Sequence, residues 1–382
     1  MNYQGKTGLF VPAAIALLLL TACGGGSGGS TSSEISISFT HQTYRIAAGD
    51  SVTLTVNARG TEIGWPSAAE VGNNFIVRGN QAIYTPPSPG FPRIEQTYDF
   101  TVTAKANPLE KKTARITVYL QTAYYGINDS GQIIGEFYDI AGNRTAFLKE
   151  GNTYTRIVPN VSGNTYVYGI NNYGEILGYH AVVDRYFLRG NGGIDYLSDY
   201  QGPYYTYYTG INDYENEFTG YVTDLYGYAT GFIRTGNRTE WIDHPYASYR
   251  ACNYVQPCGT FLTGINNYSE AVGYYYDYYG VARGFLYYNG NYYTIDPDGY
   301  PNNMADTYVW GINNYGDVVG NFHDYDGYAL GFIFLRDILY YEIIIDPGAA
   351  DPGYGTFVYG INYYREIVGE FDDGEKFQGF WW

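Results

Sequence analysis

The tripeptide Gly-Ile-Asn occurs six times in this chain of 382 residues, and no other feature limits the possible folds as strongly. Its glycines are spaced by 43, 41, 54, 47 and 49 residues, at Gly126, Gly169, Gly210, Gly264, Gly311 and Gly360. A second glycine follows in each unit, at Gly135, Gly178, Gly220, Gly273, Gly320 and Gly369. Each unit then has a phenylalanine, at Phe147, Phe187, Phe232, Phe285, Phe332 and Phe380. A period of this length indicates a stack of similar structural units.

Each unit contains the pattern of four short strands: one ends in Gly-Ile-Asn, one ends at the second glycine, one runs through the phenylalanine, and one runs through Ile-Asp. Turns such as Asn-Asn-Tyr-Gly supply the positive φ angles that tight hairpins need. A four-stranded meander cannot bury both of its faces alone, so the units are expected to stack radially. We therefore predict an all-β protein in which residues 124–382 form a six-bladed β-propeller. The sixth unit stops at Trp382 after its third strand, so that blade either lacks its outer strand or is completed by a segment near residues 115–122.

The repeat units resemble the HAF-type extracellular repeat family, whose units read roughly Gly-Ile-Asn-Asn-x-Gly-x-Val-Val-Gly, then His-Ala-Phe or Gly-Phe, then Ile-Asp. The resemblance supports the architecture, because the family has no general biochemical activity to carry over. The chain departs from the family at the histidine, which is replaced at Thr145, Thr230, Arg283 and Gln378. It also has tyrosine at turn sites where small polar residues are usual, namely Tyr173, Tyr214, Tyr268, Tyr315 and Tyr363.

The N-terminal segment has the pattern of an export signal. The apolar run from Leu9 to Leu20 is too short to span a bilayer as a helix and is typical of a signal-peptide core. The run ends in Leu20-Thr21-Ala22-Cys23, which looks like the lipobox of bacterial lipoproteins. That resemblance implies a signal peptide at residues 1–22, an acyl anchor that attaches Cys23 to the membrane, and a Gly/Ser tether at residues 23–33. With Gly24 after the cysteine, it implies an outer-membrane lipoprotein that faces the periplasm or the cell surface.

The two other cysteines, Cys252 and Cys258, are separated by five residues. Disulfides persist in exported proteins, so we predict that this pair closes a small loop. Two free thiols are the alternative, and a metal site is less favoured because no second Cys or His pair lies nearby at ligand spacing.

The segment before the repeats has a different composition and a clear two-residue alternation of apolar side chains, at residues 51–56, 98–104 and 114–119. This alternation is typical of half-buried strands, and we predict a β-sandwich over residues 34–120. The segment resembles bacterial immunoglobulin-like domains in Ala48-Gly49-Asp50-Ser51-Val52, in Trp65 and in Tyr84-Thr85-Pro86-Pro87. The resemblance implies a spacer.

Tyrosine is concentrated in the repeats, which contain 43 of the 48 tyrosines. Because Ile, Val and Phe occupy the expected core positions, we expect many tyrosines in turns, where they suit recognition surfaces. The candidate ligand-binding residues are Tyr173, Tyr214, Tyr268 and Tyr315 in the first hairpins, and Tyr226, Tyr228, Tyr278, Tyr279, Tyr325 and Tyr328 in the next turns. Tyrosine as a filler of solvated turns and blade seams is the alternative.

Acidic residues also recur, at Glu175, Glu217, Glu270, Asp317 and Glu366 and at Asp139, Asp224, Asp277 and Asp324. Carboxylates near loop carbonyls can bind Ca²⁺, and the closest approach to such a site is Asp324 with Asp326. No unit has three carboxylates at defined spacing, so we predict no cofactor and interpret the aspartates as turn residues that bond their own backbone.

The net charge of −17 disfavours nucleic acid as a partner. A catalytic acid pair should break the repeat symmetry, whereas these acids follow it, so we expect a binding protein rather than an enzyme. The hypothesis is an envelope lipoprotein whose propeller binds a glycan or surface polymer through tyrosine-rich loops. A scaffold that docks another envelope protein is the alternative, and a glycoside hydrolase-type propeller is the less favoured one.

Overall fold

The computed structural model of the protein describes residues 35–71, 74–89, 95–138, 143–158, 163–190, 192–197, 205–214, 217–251, 258–297, 305–324, 326–349, 355–374 and 376–382. The predicted signal peptide, the lipidation site Cys23 and the tether lie outside these ranges and stay predictions. Among the described residues, no helix combines the length and the apolarity needed to cross a membrane.

The described chain begins with two four-stranded sheets. Their strands are β1 (Ser36–Phe39), β2 (Thr43–Ala47), β3 (Val52–Arg59), β4 (Ile63–Gly64), β5 (Phe75–Arg78), β6 (Gln81–Tyr84), β7 (Glu95–Ala104) and β8 (Asn107–Tyr119). One sheet has the order β1-β3-β6-β5 and the other has the order β2-β8-β7-β4. Strands β2 and β8 are parallel, and a single helical turn, α1 (Ala68–Val71), follows β4.

The two sheets share one hydrophobic core. Every second residue is buried along β3, β7 and β8, as the alternation predicted: Val52, Leu54, Val56, Phe100, Val102, Ala104, Ala114, Ile116 and Val118. Trp65 is partly buried and packs edge-on against Phe100, with 6.4 Å between the ring centroids. The predicted sandwich is therefore present as two sheets with a common core.

The repeats form six units of consecutive antiparallel strands, here called blades 1 to 6. Their strands are β9 (Gln121–Ile127), β10 (Ile133–Tyr138), β11 (Arg144–Glu150) and β12 (Thr153–Arg156); β13 (Thr165–Ile170), β14 (Ile176–His180), β15 (Arg185–Gly190) and β16 (Gly193–Tyr196); β17 (Tyr205–Ile211), β18 (Glu217–Thr223), β19 (Tyr228–Thr235) and β20 (Arg238–Ile242); β21 (Cys258–Ile265), β22 (Ala271–Tyr276), β23 (Ala282–Tyr288) and β24 (Asn291–Ile295); β25 (Thr307–Ile312), β26 (Val318–His323), β27 (Ala329–Leu335) and β28 (Tyr340–Ile344); and β29 (Thr356–Ile361), β30 (Ile367–Asp372) and β31 (Phe377–Trp381). A 3₁₀ turn, Tyr249–Ala251, precedes blade 4, and a short parallel pairing of β19 with β21 links blades 3 and 4.

The blades follow one another around a ring. The first strand of each blade contacts the first strand of the next, and β29 of blade 6 contacts β9 of blade 1. The structure is therefore all-β, as predicted, and the repeats fit a six-bladed β-propeller.

Blade 6 has three strands in the described part of the chain, in the order β29-β30-β31. The segment 115–122, considered as a completing strand, is used elsewhere. Its first part belongs to β8, which pairs with β2 and β7, and its end begins β9, the innermost strand of blade 1.

The repeated glycines are explained by close contacts. A Cβ on Gly360 would lie 3.0 Å from the Cα of Gly126, so the Gly-Ile-Asn glycines let neighbouring first strands meet. The second glycine lies directly opposite the repeated phenylalanine on the neighbouring strand, as in the pair Gly320 and Phe332. A Cβ on Gly320 would lie 2.1 Å from the Tyr308 carbonyl oxygen and 2.9 Å from the Phe332 ring. Both positions exclude side chains for steric reasons.

The asparagine of Gly-Ile-Asn closes the ring. In every blade its Nδ2 donates to the backbone oxygen of the matching asparagine in the next blade, at 3.0 to 3.2 Å. The sixth bond runs from Asn362 to Asn128, which joins the last blade to the first. These six side chains, called here the asparagine ring, are buried: Asn128, Asn171, Asn212, Asn266, Asn313 and Asn362.

The sandwich touches the propeller near the junction of blades 6 and 1. Arg45 Nη1 donates to Gln378 Oε1 at 2.7 Å, and the Tyr119 hydroxyl donates to Asp373 Oδ2 at 3.0 Å. The Arg45 guanidinium also lies 4.2 Å from the Tyr119 ring centroid. Asp373 follows the second strand of blade 6, so the sandwich lies at the end of the ring where first strands begin.

We expect Asn313→Ala to destabilise the fold by about 2 to 4 kcal/mol, because it orphans several buried polar groups. Its Nδ2 donates to Asn362 O and Asp317 Oδ2, and its Oδ1 accepts from the backbone amide of Asp317 at 2.9 Å. The measurement is the free energy of unfolding by chemical denaturation.

The neighbouring Asn314→Ala is the matched control. Asn314 Oδ1 accepts one bond, from the Asn267 amide at 2.9 Å, so its loss should cost about 1 kcal/mol. Equal losses for the two variants would contradict a special role for the asparagine ring.

Candidate functional site

The first hairpin of each blade, between its first and second strands, opens on one end of the ring, here called the upper face. The turn between the second and third strands opens on the opposite end, the lower face. Because β9 starts beside the sandwich and runs away from it, the upper face points away from the sandwich.

The asparagine ring holds the first hairpins in shape. Each ring asparagine accepts, through Oδ1, the backbone amide of the residue two positions later, at 2.9 to 3.1 Å. In blades 2 to 6 that residue is a tyrosine: Tyr173, Tyr214, Tyr268, Tyr315 and Tyr364. The side chains of these five residues are 69, 58, 64, 51 and 68% exposed. The upper face therefore carries a rim of exposed phenol rings at equivalent positions.

The predicted set of first-hairpin tyrosines needs one correction. Tyr363, grouped with it from the sequence, occupies the position that Asn314 has in blade 5, and Tyr364 is the true equivalent. The Tyr363 ring stacks on Tyr315 with 4.4 Å between centroids. Blades 5 and 6 thus share a stacked pair on the upper face.

Inside the tyrosine rim lies a shallow polar depression, with about 370 Å³ of space when the open solvent above it is included, lined mainly by the isoleucines and asparagines of the repeats. The residues after the asparagine ring form a second layer of hydrogen bonds. Asn172 Nδ2 donates to Asp129 Oδ2 at 2.7 Å and to Asp213 Oδ2 at 2.9 Å, and Asn267 Nδ2 donates to the same Asp213 oxygen. Aspartate acceptors and asparagine donors alternate in this layer, so these side chains already hydrogen-bond to one another.

The recurrent first-hairpin acids have a structural role. Glu175 Oε2 accepts from Asn171 Nδ2 at 2.7 Å, and the acids of blades 3 to 6 accept from the ring in the same way: Glu217, Glu270, Asp317 and Glu366. Glu217 is 5% exposed and Asp317 is fully buried. These carboxylates are therefore second partners of the asparagine ring.

The lower-face aspartates are turn residues, as expected. Asp224 and Asp277 accept backbone amides two and four residues later through Oδ1. Asp324, the weak calcium candidate with Asp326, accepts the Asp326 amide at 3.0 Å and the Tyr328 amide at 2.9 Å. Among the described residues, no group of three or more His, Cys, Asp or Glu side chains could hold a metal ion. Asp139 lies outside the described residues.

The second predicted set of tyrosines contains both exposed and buried side chains. Tyr226, Tyr278, Tyr279 and Tyr328 are exposed on the lower face at 73, 54, 73 and 39%. Tyr228 is 4% exposed, its hydroxyl donates to Asp243 Oδ1 at 2.8 Å, and its ring stacks on Tyr249. Its placement on a recognition surface was therefore wrong, because it is the first residue of β19 and packs inward. Tyr325 lies outside the described residues.

The predicted disulfide between Cys252 and Cys258 stays a prediction, because Cys252 lies outside the described residues. Cys258 is buried at the start of β21.

Aromatic side chains also line the inner side of the ring, on the first strands of the blades, where the sequence pattern did not lead us to expect them. The residue before each Gly-Ile-Asn glycine and the residue two positions earlier are often aromatic: Tyr125, Tyr168, Trp310 and Tyr359, and Tyr166, Tyr207, Phe261, Tyr308 and Phe357. The rings contact one another between blades, as in Trp310 with Tyr359 at 5.9 Å and Tyr359 with Tyr125 at 5.4 Å. Tyrosine is therefore not confined to turns, and the signal was its alternation along the first strands.

Two carboxylates break the symmetry of this lining. The residue after the second glycine is Glu136 in blade 1 and Glu370 in blade 6, whereas it is tyrosine in blades 2 to 4. Burial raises the pKa of each to about 7, and the two charges repel each other. Arg144 Nη1 lies 3.4 Å from Glu136 Oε2, and the Tyr359 hydroxyl donates to Glu370 Oε1 at 2.8 Å. The nearby cation and this hydrogen bond favour the ionised carboxylates and so limit the rise in their pKa values.

No protein-family model and no curated protein matches the chain. Among solved structures, it is similar to a variant of Aleuria aurantia lectin in complex with Fucα1-6GlcNAc, at 12% identity over 69% of this chain and 91% of that chain, with a TM-score of 0.41. It is similar to SapL1 lectin in complex with α-methyl fucoside, at 11% identity over 69% of this chain and 92% of that one, with a TM-score of 0.43. It is also similar to an inactive virginiamycin B lyase from Staphylococcus aureus with quinupristin, at 13% identity over 75% of this chain and 98% of that one, with a TM-score of 0.35. TM-scores this low carry no argument about activity.

We expect Glu370→Gln to flatten the pH dependence of stability. The folded pKa of about 7 lies above the ordinary value of 4.5, so between these values the folded state binds more protons than the unfolded state. Folding stability therefore falls as pH rises from about 4.5 to 7, and the neutral variant does not show this loss. At pH 8 the variant should be more stable by about 3 kcal/mol, and at pH 4 the two proteins should match. Denaturant titrations at both values measure this, and a variant no more stable at pH 8 would show that Glu370 ionises as freely as in water.

Proposed function

We propose that this protein is a non-enzymatic binding protein whose propeller binds a glycan or surface polymer on its upper face. The observation that carries the proposal is the rim of five first-hairpin tyrosines, each more than half exposed and each held at its backbone by the asparagine ring. A phenol ring offers a large flat contact area, few rotatable bonds and one polar tip. These properties suit the apolar faces and the hydroxyl groups of sugars.

Repetition favours a repetitive ligand. If each tyrosine contact contributes about 0.5 to 1 kcal/mol, several blades that engage one polymer give useful affinity through multivalency. In every blade except the third, Oδ1 of the ring asparagine accepts two backbone amides. These hairpins are held in one shape before binding, so binding to them costs little ordering entropy. Isolated tyrosines on mobile turns would lack this advantage.

We propose that the N-terminal sheets are an immunoglobulin-like spacer. The strand orders β1-β3-β6-β5 and β2-β8-β7-β4 correspond to the A-B-E-D and A′-G-F-C orders of that fold. The spacer contacts the lower side of the propeller, so an anchor at Cys23 would leave the upper face directed away from the membrane. The outer-membrane lipoprotein and the kinship with HAF-type repeats remain proposals that rest on the sequence.

The test is binding of the purified protein to an array of glycans and envelope polysaccharides. Changing Tyr268 and Tyr315 to Ser together should weaken binding about tenfold while the protein stays folded. The matched control changes Tyr226 and Tyr279 to Ser on the lower face, and it should bind as the unchanged protein does.

Three outcomes would contradict the proposal. A stronger loss from the lower-face pair would place the ligand on the wrong end of the ring. Absence of glycan binding, together with co-purification of one envelope protein, would indicate that the protein is a docking scaffold and not a glycan-binding protein. Binding that disappears on addition of EDTA would require a calcium ion that the proposal does not include.

A further inference from the structure

The seams between successive blades differ in one respect on the upper face: the partner of the first-hairpin acid. At the seam of blades 4 and 5, Glu270 Oε1 accepts from Arg336 Nη1 at 2.7 Å. At the seam of blades 5 and 6, Asp317 Oδ2 accepts from Arg365 Nε at 2.8 Å. In each case the following blade inserts one guanidinium that neutralises a buried carboxylate of the preceding blade.

The seam of blades 3 and 4 lacks this guanidinium. Counting from the repeated glycines, Asn289 stands where blade 5 has Arg336, and Ser269 stands where blade 6 has Arg365. The equivalent acid, Glu217, accepts instead from neutral groups: Ser269 Oγ at 3.1 Å, Thr235 Oγ1 at 2.9 Å and Asn212 Nδ2. No ion pair to Glu217 is formed within the described residues.

Ser269 is held at a backbone angle that disfavours a side chain. Its φ is 56°, whereas glycine occupies this hairpin position at Gly131, Gly174 and Gly316. Among the equivalent positions that the structure describes, Arg365 also has a side chain at a positive φ, and it binds Asp317. A side chain kept at an unfavourable angle indicates a use for that side chain.

A pocket lies between blades 3 and 4, where this guanidinium is missing, with a space of about 820 Å³ including the open solvent at its entrance. Glu217 and Glu240 contribute two carboxylates and Arg238 contributes one cation, so acid predominates. The Tyr287 hydroxyl donates to Glu240 Oε1 at 2.5 Å, which fixes that carboxylate. The exposed ring of Tyr268 stands at the edge, so the pocket continues into the tyrosine rim.

We propose that this pocket binds an amino sugar through its free ammonium group, in the place that an arginine of the chain fills at the next two seams. The inference rests on the proposed glycan-binding function and specifies one sugar residue of the ligand. Glu217 and Glu240 face the ammonium group, and the face of Tyr268 covers the apolar side of the pyranose ring.

The neutral groups of the pocket favour a sugar over an arginine side chain of a protein partner. A guanidinium needs little more than a paired carboxylate, as Glu270 and Asp317 show at the neighbouring seams. The hydroxyls of Ser269 and Thr235 and the amide of Asn289 also line the pocket. These groups match the ring hydroxyls of a sugar, which accept and donate alike.

The test uses two probes that differ in one group: the β-1,4-linked hexamer of glucosamine and its fully N-acetylated form. Calorimetric titration of the purified protein should show at least about tenfold tighter binding of the free amine. Asn289→Arg should fill the pocket as Arg336 fills the next one and remove that preference. Its matched control is Asn237→Arg, which adds the same charge to the equivalent turn of blade 3, outside the pocket.

A second pair of variants avoids any change in volume. Glu240→Gln keeps an acceptor for Tyr287 and should lower the affinity for the free amine severalfold, whereas Glu342→Gln, at the equivalent position of blade 5, should leave it unchanged.

The outcomes separate this inference from the proposed function. Equal binding of the two hexamers, insensitive to Asn289→Arg, would overturn the amino-sugar pocket and leave the glycan-binding face standing. Binding of neither hexamer while an arginine-rich peptide binds and Asn289→Arg abolishes that binding would overturn it in favour of a protein ligand. Failure of every glycan on the array would remove the proposed function itself.

Discussion

The fold depends on a ring of six buried asparagines that hydrogen-bond from blade to blade. Each Nδ2 donates to the next blade, and in blades 2 to 6 each Oδ1 accepts the backbone amide of an exposed tyrosine. Aspartate would lose both donors, and glutamine would be too long for the same geometry. Because the last bond joins Asn362 to Asn128, the ring also fastens the sixth blade to the first.

The same ring determines what is left for function. The recurrent acids accept hydrogen bonds from the ring asparagines. Carboxylates that the sequence alone offers as metal ligands therefore stabilise the fold. The ring presents the hairpin tyrosines at equivalent points of the upper face. Beside Glu217, where the following blade has no arginine, an acid of this set borders an open pocket. The proposed binding chemistry therefore lies on the upper face and, on that face, includes the seam of blades 3 and 4.

The repeat made much of the architecture predictable. The repeated residues located the strands because each has a local steric or hydrophobic cause. The glycines stand where no side chain fits, and the phenylalanines and the isoleucines of the Ile-Asp pairs stand where an apolar side chain is expected to be buried. The sequence could not place Tyr228 or Tyr125 inside, because tyrosine suits a solvated turn and a channel wall equally well. Nor could it show that Asn289 and Arg336 are equivalent neighbours of an acid, since that contact crosses between blades. The predicted anchor and tether precede the described residues and stay predictions.

The most direct test of the account is a map of which tyrosines a bound glycan protects. Covalent labelling of phenol rings, read by mass spectrometry with and without a ligand found on the array, distinguishes the two faces. The account predicts protection of Tyr173, Tyr268 and Tyr315, with Tyr226 and Tyr279 labelled equally in both samples. Protection confined to Tyr226 and Tyr279, with the upper rim unchanged, would contradict it.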